Sequence, residues 1–125
     1  MRALVLVAPI GLIMGTSALA QQDDKFTAKY LLPYCRAAIT NQAPTLTSDA
    51  VMQGMCVGIV DAIDFMMSTS QPQEEEYRSC PPDVTLKETV QMVITYIDAR
   101  PERMNENFKK LAIEAIHDAW PCGTN

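Results

Sequence analysis

The chain has 125 residues, of which 48% are hydrophobic, 20% are charged and 6% are aromatic. This composition is that of a globular protein, and it excludes collagen-like, low-complexity and intrinsically disordered chains. Fifteen acidic residues outnumber ten basic residues, which gives a net charge of −5 at pH 7. Because this charge is repelled by phosphate groups and by anionic lipid, we expect a basic or neutral protein partner, and neither nucleic acid nor membrane.

The start of the chain has the pattern of a secretory signal peptide. Arg2 precedes an apolar run that ends at Met14, and an alanine-leucine-alanine cleavage motif ends at Ala20. The run is shorter than the about 20 residues that a membrane-spanning helix needs. We therefore predict a cleaved leader over residues 1–20 and a single exported domain over 21–125. No later segment is expected to span a membrane.

Apolar residues at helical spacing predict four α-helices and no strand in the exported domain. The first helix covers residues 26–40, with Thr27 as its N-cap. Pro33 is expected to bend this helix or to delay its start, because proline has no N–H to donate. The second helix is predicted to begin at a cap provided by Thr47 or Ser48.

Two sets of residues within the predicted second helix recur at helical spacing. Gly54, Gly58 and Ala62 recur every four residues, which favours close contact with another helix; the alternative is that this helix starts late or bends there. A second set is predicted to form the buried stripe of the helix. Its members are Met52, Met55, Ile59, Ile63 and Met66.

The second half of the chain is predicted to form an exposed loop and a helical hairpin. The loop covers residues 68–84, and Thr85 and Glu88 after it have the spacing of a capping box that starts the third helix. The fourth helix is expected from Asn105 to Trp120. The predicted core residues of these two helices are Leu86, Val90, Val93, Ile94, Ile97, Phe108, Leu111, Ala112, Ala115 and Ala119.

The four cysteines predict two disulfides rather than a zinc site, because the leader directs the chain to an oxidising compartment and no C-x-x-C is present. Antiparallel third and fourth helices of equal length bring Cys80 and Cys122 to coincident ends. Cys35 and Cys56 would then join the first two helices, although the loop could also carry Cys80 toward Cys56. The predicted fold is an all-α, disulfide-stapled bundle of about four helices arranged as two helical hairpins.

The residues themselves predict binding rather than catalysis. His117 is the only histidine, and paired cysteines leave it without a nucleophilic thiol. Asp61 and Asp64 could be a general acid/base pair or a cation site, but we favour anchors for basic side chains. We expect no catalytic residue, metal or cofactor.

The segment from Cys80 to Cys122 resembles the immunity proteins that protect Gram-negative bacteria from amidase effectors of type VI secretion systems. Upstream, Cys56 and Gly58 are similar to the cysteine-x-glycine segment of that family's central helix. The residues of the main segment that carry the resemblance are Cys80, Pro82, Val84, Thr85, Val90, Val93, Tyr96, Pro101, Glu102, Ala112, Ala115, Trp120, Pro121 and Cys122.

The resemblance implies a periplasmic, all-helical protein, often a homodimer, that occludes the catalytic cleft of a peptidoglycan-cleaving amidase and catalyses nothing itself. Two segments are candidate contacts for the amidase, the acidic loop and the turn that begins at Arg100. For the glutamates, a solvated loop without a partner is the alternative that we favour. The candidate residues are Glu74, Glu75, Glu76, Tyr77, Arg78, Arg100, Glu102 and Arg103.

A different function is compatible with the same residues. Small disulfide-linked helical proteins of the periplasm can act as acid-stress chaperones or as housekeeping binding modules, and fifteen carboxylates allow a large loss of negative charge at low pH. Binding and inhibition of an amidase would distinguish the immunity function from this alternative.

Overall fold

The computed structural model describes residues 26–69 and 77–123. No residue in either range belongs to a β-strand, so the all-α prediction is confirmed for the described chain. The predicted leader lies outside these ranges. The helices are α1 (Ala28–Ile39), α2 (Thr47–Thr69), α3 (Leu86–Asp98) and α4 (Phe108–Ala119), and a 3-10 turn, Pro101–Arg103, connects α3 to α4.

Side-chain caps start three of the four helices. The Thr27 hydroxyl accepts a hydrogen bond from the Tyr30 N–H, which confirms the predicted cap of α1. At α3, the Thr85 hydroxyl accepts from the Glu88 N–H at 3.3 Å, and the Glu88 carboxylate accepts from the Thr85 N–H at 2.7 Å. This reciprocal pair is the predicted capping box. Asn107 caps α4.

Of the two effects predicted for Pro33, a delayed start of α1 does not occur. The helix begins at Ala28 and continues through Pro33 to Ile39. The carbonyl that the missing N–H leaves without a helical partner belongs to Lys29, an exposed residue, so water can bind it.

The predicted cap of α2 is also wrong, because Thr47 and Ser48 both lie inside the helix. The carboxylate of Asp49, in the first turn of α2, instead bonds back to the two residues before the helix. It accepts hydrogen bonds from the Leu46 N–H at 3.2 Å and from the Thr45 hydroxyl at 2.9 Å.

One hydrophobic core joins all four helices. Two residues predicted in it, Leu86 and Ala119, are exposed because they are the first and last residues of their helices. The largest fully buried apolar side chains are Phe108, Leu31, Leu32, Ile97, Leu111, Ile116, Val60, Val90 and Val93.

The predicted buried stripe of α2 is wrong by one position over most of its length. Ile63 is buried as expected, but Met66 is exposed and Met52, Met55 and Ile59 are only half-buried. Because α2 is apolar on almost every side, its periodicity could not indicate which side faces the core. The buried residues of α2 are Cys56, Val60, Ile63 and Met67.

The expected close contact at the small residues of α2 does not occur within the described chain. Gly54, Gly58 and Ala62 are exposed. A Cβ atom added at Gly54 or at Gly58 would meet no atom within 4 Å. These residues lie opposite the core, on the outward side of α2.

Two disulfides connect the helices in the pairings that the sequence favoured. The Cys35–Cys56 bridge, with a Cα–Cα distance of 5.5 Å, joins α1 to α2 inside the core. The Cys80–Cys122 bridge, with a Cα–Cα distance of 4.8 Å, joins the start of the α3–α4 hairpin to its end. The Cys80 N–H also donates to the Trp120 carbonyl at 2.8 Å.

Candidate partner-binding surfaces

The turn between α3 and α4 is held by a network of ion pairs centred on Arg103. The guanidinium of Arg103 lies 2.7 Å from a Glu106 carboxylate oxygen and 2.6 Å from a Glu114 carboxylate oxygen. Lys110 lies 2.8 Å from the second Glu106 oxygen. Bidentate contacts of this kind fix the guanidinium plane as well as its position.

The charges of this network perturb one another. Hydrogen bonds from Arg103 and Lys110 lower the pKa of Glu106 to about 2. Hydrogen bonds from Arg103 also lower the pKa of Glu114, and those of both carboxylates raise the pKa of Arg103. All three groups therefore remain charged across the physiological pH range.

Arg100 is held against α3 rather than extended into solvent. Its guanidinium lies 3.6 Å from the centre of the Tyr96 ring, and it donates a hydrogen bond to the Tyr96 carbonyl at 2.9 Å. The Tyr96 hydroxyl in turn donates to Glu114 at 3.2 Å. Arg100 borders a groove of about 360 Å³ between α3 and α4.

Main-chain hydrogen bonds attach the turn to the start of α1. The Ala28 N–H donates to the Glu106 carbonyl at 3.0 Å, and the Lys29 N–H donates to the Met104 carbonyl at 2.8 Å. These bonds hold the end of the turn that leads into α4, and the turn keeps three residues exposed. These residues are Pro101, Glu102 and Asn105.

Glu102 and Arg103 are neighbours with different roles. Arg103 was predicted to contact a partner, but its donors are engaged by Glu106 and Glu114 within the chain. Glu102 is exposed and forms no ion pair with any residue in the two described ranges. Glu102 is therefore the charged residue of the turn with an available carboxylate.

The second predicted contact segment lies at the other end of the molecule. Tyr77 is 54% exposed, whereas Arg78 is half-buried and its Nε has no hydrogen-bond acceptor among the described residues. This segment precedes α3, and the turn follows α3, so about 20 Å of helix separates them. The structure does not bring the two segments together. Glu74, Glu75 and Glu76 lie outside the described residues.

The outward side of α2 is an apolar surface that sequence reasoning missed. Val51 is 57% exposed and Phe65 is 68% exposed. Beside them lies an apolar groove of about 450 Å³ that includes Met55 and Ile59, with Lys109 at its edge. The sequence contained an indication of this surface, because a helix that is apolar on almost every side is expected to be buried by other surfaces on more than one side.

Among the described residues, α2 is also the helix that is long and apolar enough to cross a bilayer by length and composition. This finding differs from our expectation that no segment after the leader has that property. Cys56 is tied to α1 by a disulfide, and Val60 and Ile63 are buried in the core. These contacts are those of a helix in a bundle.

No assembled catalytic site is visible in the part of the chain that the structure describes. All four cysteines are paired, and the Nδ1 of His117 lies 3.7 Å from the nearest Asp118 oxygen. The described residues contain no group of three or more side chains suited to hold a metal. Asp64 is half-buried, and burial together with the charge of Asp61 raises its pKa.

The described chain is a small, all-α bundle linked by two disulfides. A family model for Rap1a immunity proteins matches residues 27–122, which includes all four helices. The chain belongs to the Rap1a immunity protein family, whose members are immunity proteins of type VI secretion systems. Comparisons with curated proteins and with solved structures found no match.

Proposed function

We propose that this protein binds a peptidoglycan amidase effector of a type VI secretion system and blocks its catalytic cleft without catalysing a reaction. Membership of the Rap1a immunity family over residues 27–122 is the observation that carries this proposal. The amidase specificity is supported by the resemblance of the segment Cys80 to Cys122 to amidase immunity proteins.

The turn after α3 is the proposed contact with the effector. An amidase that cleaves peptides has an extended cleft, and a projecting turn of fixed conformation can enter such a cleft with little loss of conformational entropy. The Arg103 network and the hydrogen bonds to α1 supply that rigidity. Glu102 offers an exposed carboxylate to a basic group of the effector.

The place of action follows from the leader and the disulfides. We propose that residues 1–20 are cleaved on export and that residues 21–125 act as one domain in the periplasm. The leader contains one basic and no acidic residue, so the exported chain carries nine basic and fifteen acidic side chains, a balance of 9 − 15 = −6. Two disulfides fit an oxidising compartment.

The state of assembly is a further part of the proposal. We propose that the protein is a homodimer, as the resemblance implies. The uncovered apolar side of α2 supports this, because exposed apolar surface of this kind is typical of protein interfaces.

The test is whether this protein inhibits a purified peptidoglycan amidase effector of a type VI secretion system. The oxidised protein should bind the purified enzyme, stop peptidoglycan cleavage and protect cells that export the enzyme to the periplasm. Failure to bind the amidase, or binding without inhibition, would contradict the proposal. Suppression of protein aggregation at low pH without amidase binding would favour the chaperone alternative.

Reversing the charge of Glu102 tests the contact surface. Glu102→Arg should weaken amidase binding by roughly tenfold or more, because it places a positive charge against a basic group. Asp83→Arg is the matched control, since Asp83 is also exposed but lies at the other end of α3. Weaker binding only for the Asp83 variant would place the contact at the Tyr77 end.

A further inference from the structure

A groove of about 470 Å³ lies between the first turn of α1 and the turn that leads into α4. Its lining residues are Thr27, Lys29, Tyr30 and Asn105. Hydrogen bonds from the Ala28 and Lys29 N–H groups to the turn hold its two sides together. We call it the α1 groove. Because Asn105 belongs to the turn proposed to contact the effector, the groove is continuous with that contact surface.

Lys29 places a positive charge at the α1 groove. Its side chain is exposed and forms no ion pair with any residue in 26–69 or 77–123. A lysine in the first turn of a helix is also repelled by the helix dipole. The first turn of α1 contains no acidic residue to offset this repulsion, whereas Glu88 follows Lys87 in the first turn of α3. The ammonium group of Lys29 is therefore available to a carboxylate of a partner.

The charge at this end of the molecule is opposite in sign to that of the whole chain. Residues 26–30 and 100–114 contain five basic and three acidic side chains, a balance of 5 − 3 = +2, whereas the exported chain has a balance of −6. Two of the three carboxylates, those of Glu106 and Glu114, are already paired with Arg103 and Lys110. A local excess of positive charge attracts an acidic surface of a partner to this end.

The other side chains of the α1 groove suit a segment of a protein. Tyr30 is 39% exposed, and its ring lies 5.8 Å from the ring of Tyr34, which gives the surface an aromatic face. The exposed amide of Asn105 can both donate to and accept from the main chain of a bound segment. Aromatic side chains are enriched in protein interfaces, so this lining favours a peptide segment over a small anion.

We propose that the α1 groove binds an acidic segment of the amidase effector and that a carboxylate of this segment pairs with Lys29. The inference rests on the proposed function and adds a second contact beside the turn. Glu102 and Lys29 carry opposite charges on adjoining surfaces, so a matching effector presents a basic group to Glu102 and an acidic group to Lys29. An effector with charges of one sign at both places is repelled by one of the two residues. The pair therefore selects among effectors and fixes their orientation.

Reversing the charge of Lys29 tests this contact. Lys29→Glu should weaken binding of the purified amidase at least tenfold, as surface plasmon resonance would measure. Lys87→Glu is the matched control and should bind as the unmodified protein does. Lys87 is also exposed, also lacks an ion pair within the described chain and is also the second residue of its helix.

The melting temperature separates lost binding from misfolding. That of Lys29→Glu should be unchanged or raised, because the helix dipole favours a carboxylate at the start of α1. Weaker amidase binding at an undiminished melting temperature would locate the effect in the contact itself.

A second pair of variants tests the aromatic face of the groove. Tyr30→Ala should weaken amidase binding by about fivefold or more, because truncated aromatic side chains are among the costliest losses in protein interfaces. Tyr77→Ala is the control, since Tyr77 is 54% exposed but lies on the segment before α3. This control should bind normally.

Several results would overturn the inference. Normal amidase binding by Lys29→Glu would do so, and equal weakening by Lys29→Glu and Lys87→Glu would indicate an effect of net charge alone. Loss of binding to purified peptidoglycan by Lys29→Glu, with amidase binding intact, would assign the groove to carboxylates of the cell wall. An unmodified protein that does not bind the amidase would contradict the proposed function as well, whereas a normal Lys29→Glu variant contradicts this inference alone.

Discussion

Arg103 connects the turn between α3 and α4 to α4 itself. Its side chain contacts carboxylates from the end of the turn and from the second turn of α4. The pairing of Arg103 with Glu114, eleven residues away, is a tertiary contact that spacing does not predict. The sequence therefore left Arg103 as a candidate contact with a partner, whereas the structure shows its guanidinium bonded within the chain. Glu102 beside it is exposed.

The Arg103 network makes the stability of the protein depend on pH. Glu106 has its pKa lowered from 4.5 to about 2, so its stabilising effect is complete above about pH 4.5 and is lost as the pH falls toward 2. Arg103→Met should lower the melting temperature at pH 7. It should also reduce the decrease in melting temperature that occurs between pH 4.5 and pH 2. Circular dichroism melts at several pH values measure both effects.

Lys87→Met is the control for this measurement. It removes the same charge from an exposed residue that has no ion pair among residues 26–69 and 77–123. Its melting temperature should keep the pH dependence of the unmodified protein. Equal slopes for the Arg103 and Lys87 variants would show that the network does not couple stability to pH.

At the scale of the elements, the helices with local start signals were the most predictable. The capping box of α3 depends on two side chains three residues apart, so the sequence contains all of its information. The orientation of α2 depends on which of several apolar sides meets α1, α3 and α4, and that choice is made by packing. The predicted stripe of α2 was therefore wrong, although the helix itself was predicted.

The capping box should contribute measurably to stability. Thr85→Ala should lower the free energy of unfolding by about 1 kcal/mol, because it leaves the Glu88 N–H at the start of α3 without its acceptor. Urea denaturation measures the change. Thr95→Ala provides the comparison within the same helix, since the Thr95 hydroxyl donates to the Gln91 carbonyl, accepts from the Gln91 Nε2 and caps no helix end. That variant should change stability by less than about 0.5 kcal/mol, and an equal loss for both would contradict a specific capping effect.

For the molecule as a whole, the two disulfides differ in position and in exposure. Cys35 and Cys56 are both 0% exposed and belong to the core, whereas Cys80 is exposed at the open end of the α3–α4 hairpin. The first bridge closes a separation of 21 residues and the second closes 42. Loop entropy alone therefore predicts that the second bridge stabilises the protein by about 0.6 kcal/mol more than the first. This difference is smaller than the cost of truncating two buried side chains in the core.

Removing the core bridge should consequently destabilise the protein more than removing the exposed one. Replacing Cys35 and Cys56 with alanine should cost more than the same change at Cys80 and Cys122, for which we expect about 3–4 kcal/mol. Mild reduction of the folded protein should open the exposed bridge first, as alkylation and mass spectrometry would detect. Reduction of both bridges at the same rate would show that burial does not protect the core bridge.

The attachment of the turn to α1 has a practical result for protein engineering. Thr27 forms an isolated backbone bridge with Asn107. The first two residues of α1 donate hydrogen bonds from their N–H groups to carbonyls of the turn. A peptide tag fused just before Phe26 would therefore begin beside the surface proposed to enter the amidase. A tag placed after Cys122 would extend from the opposite end of the bundle, which makes it the better position for affinity capture of the complex.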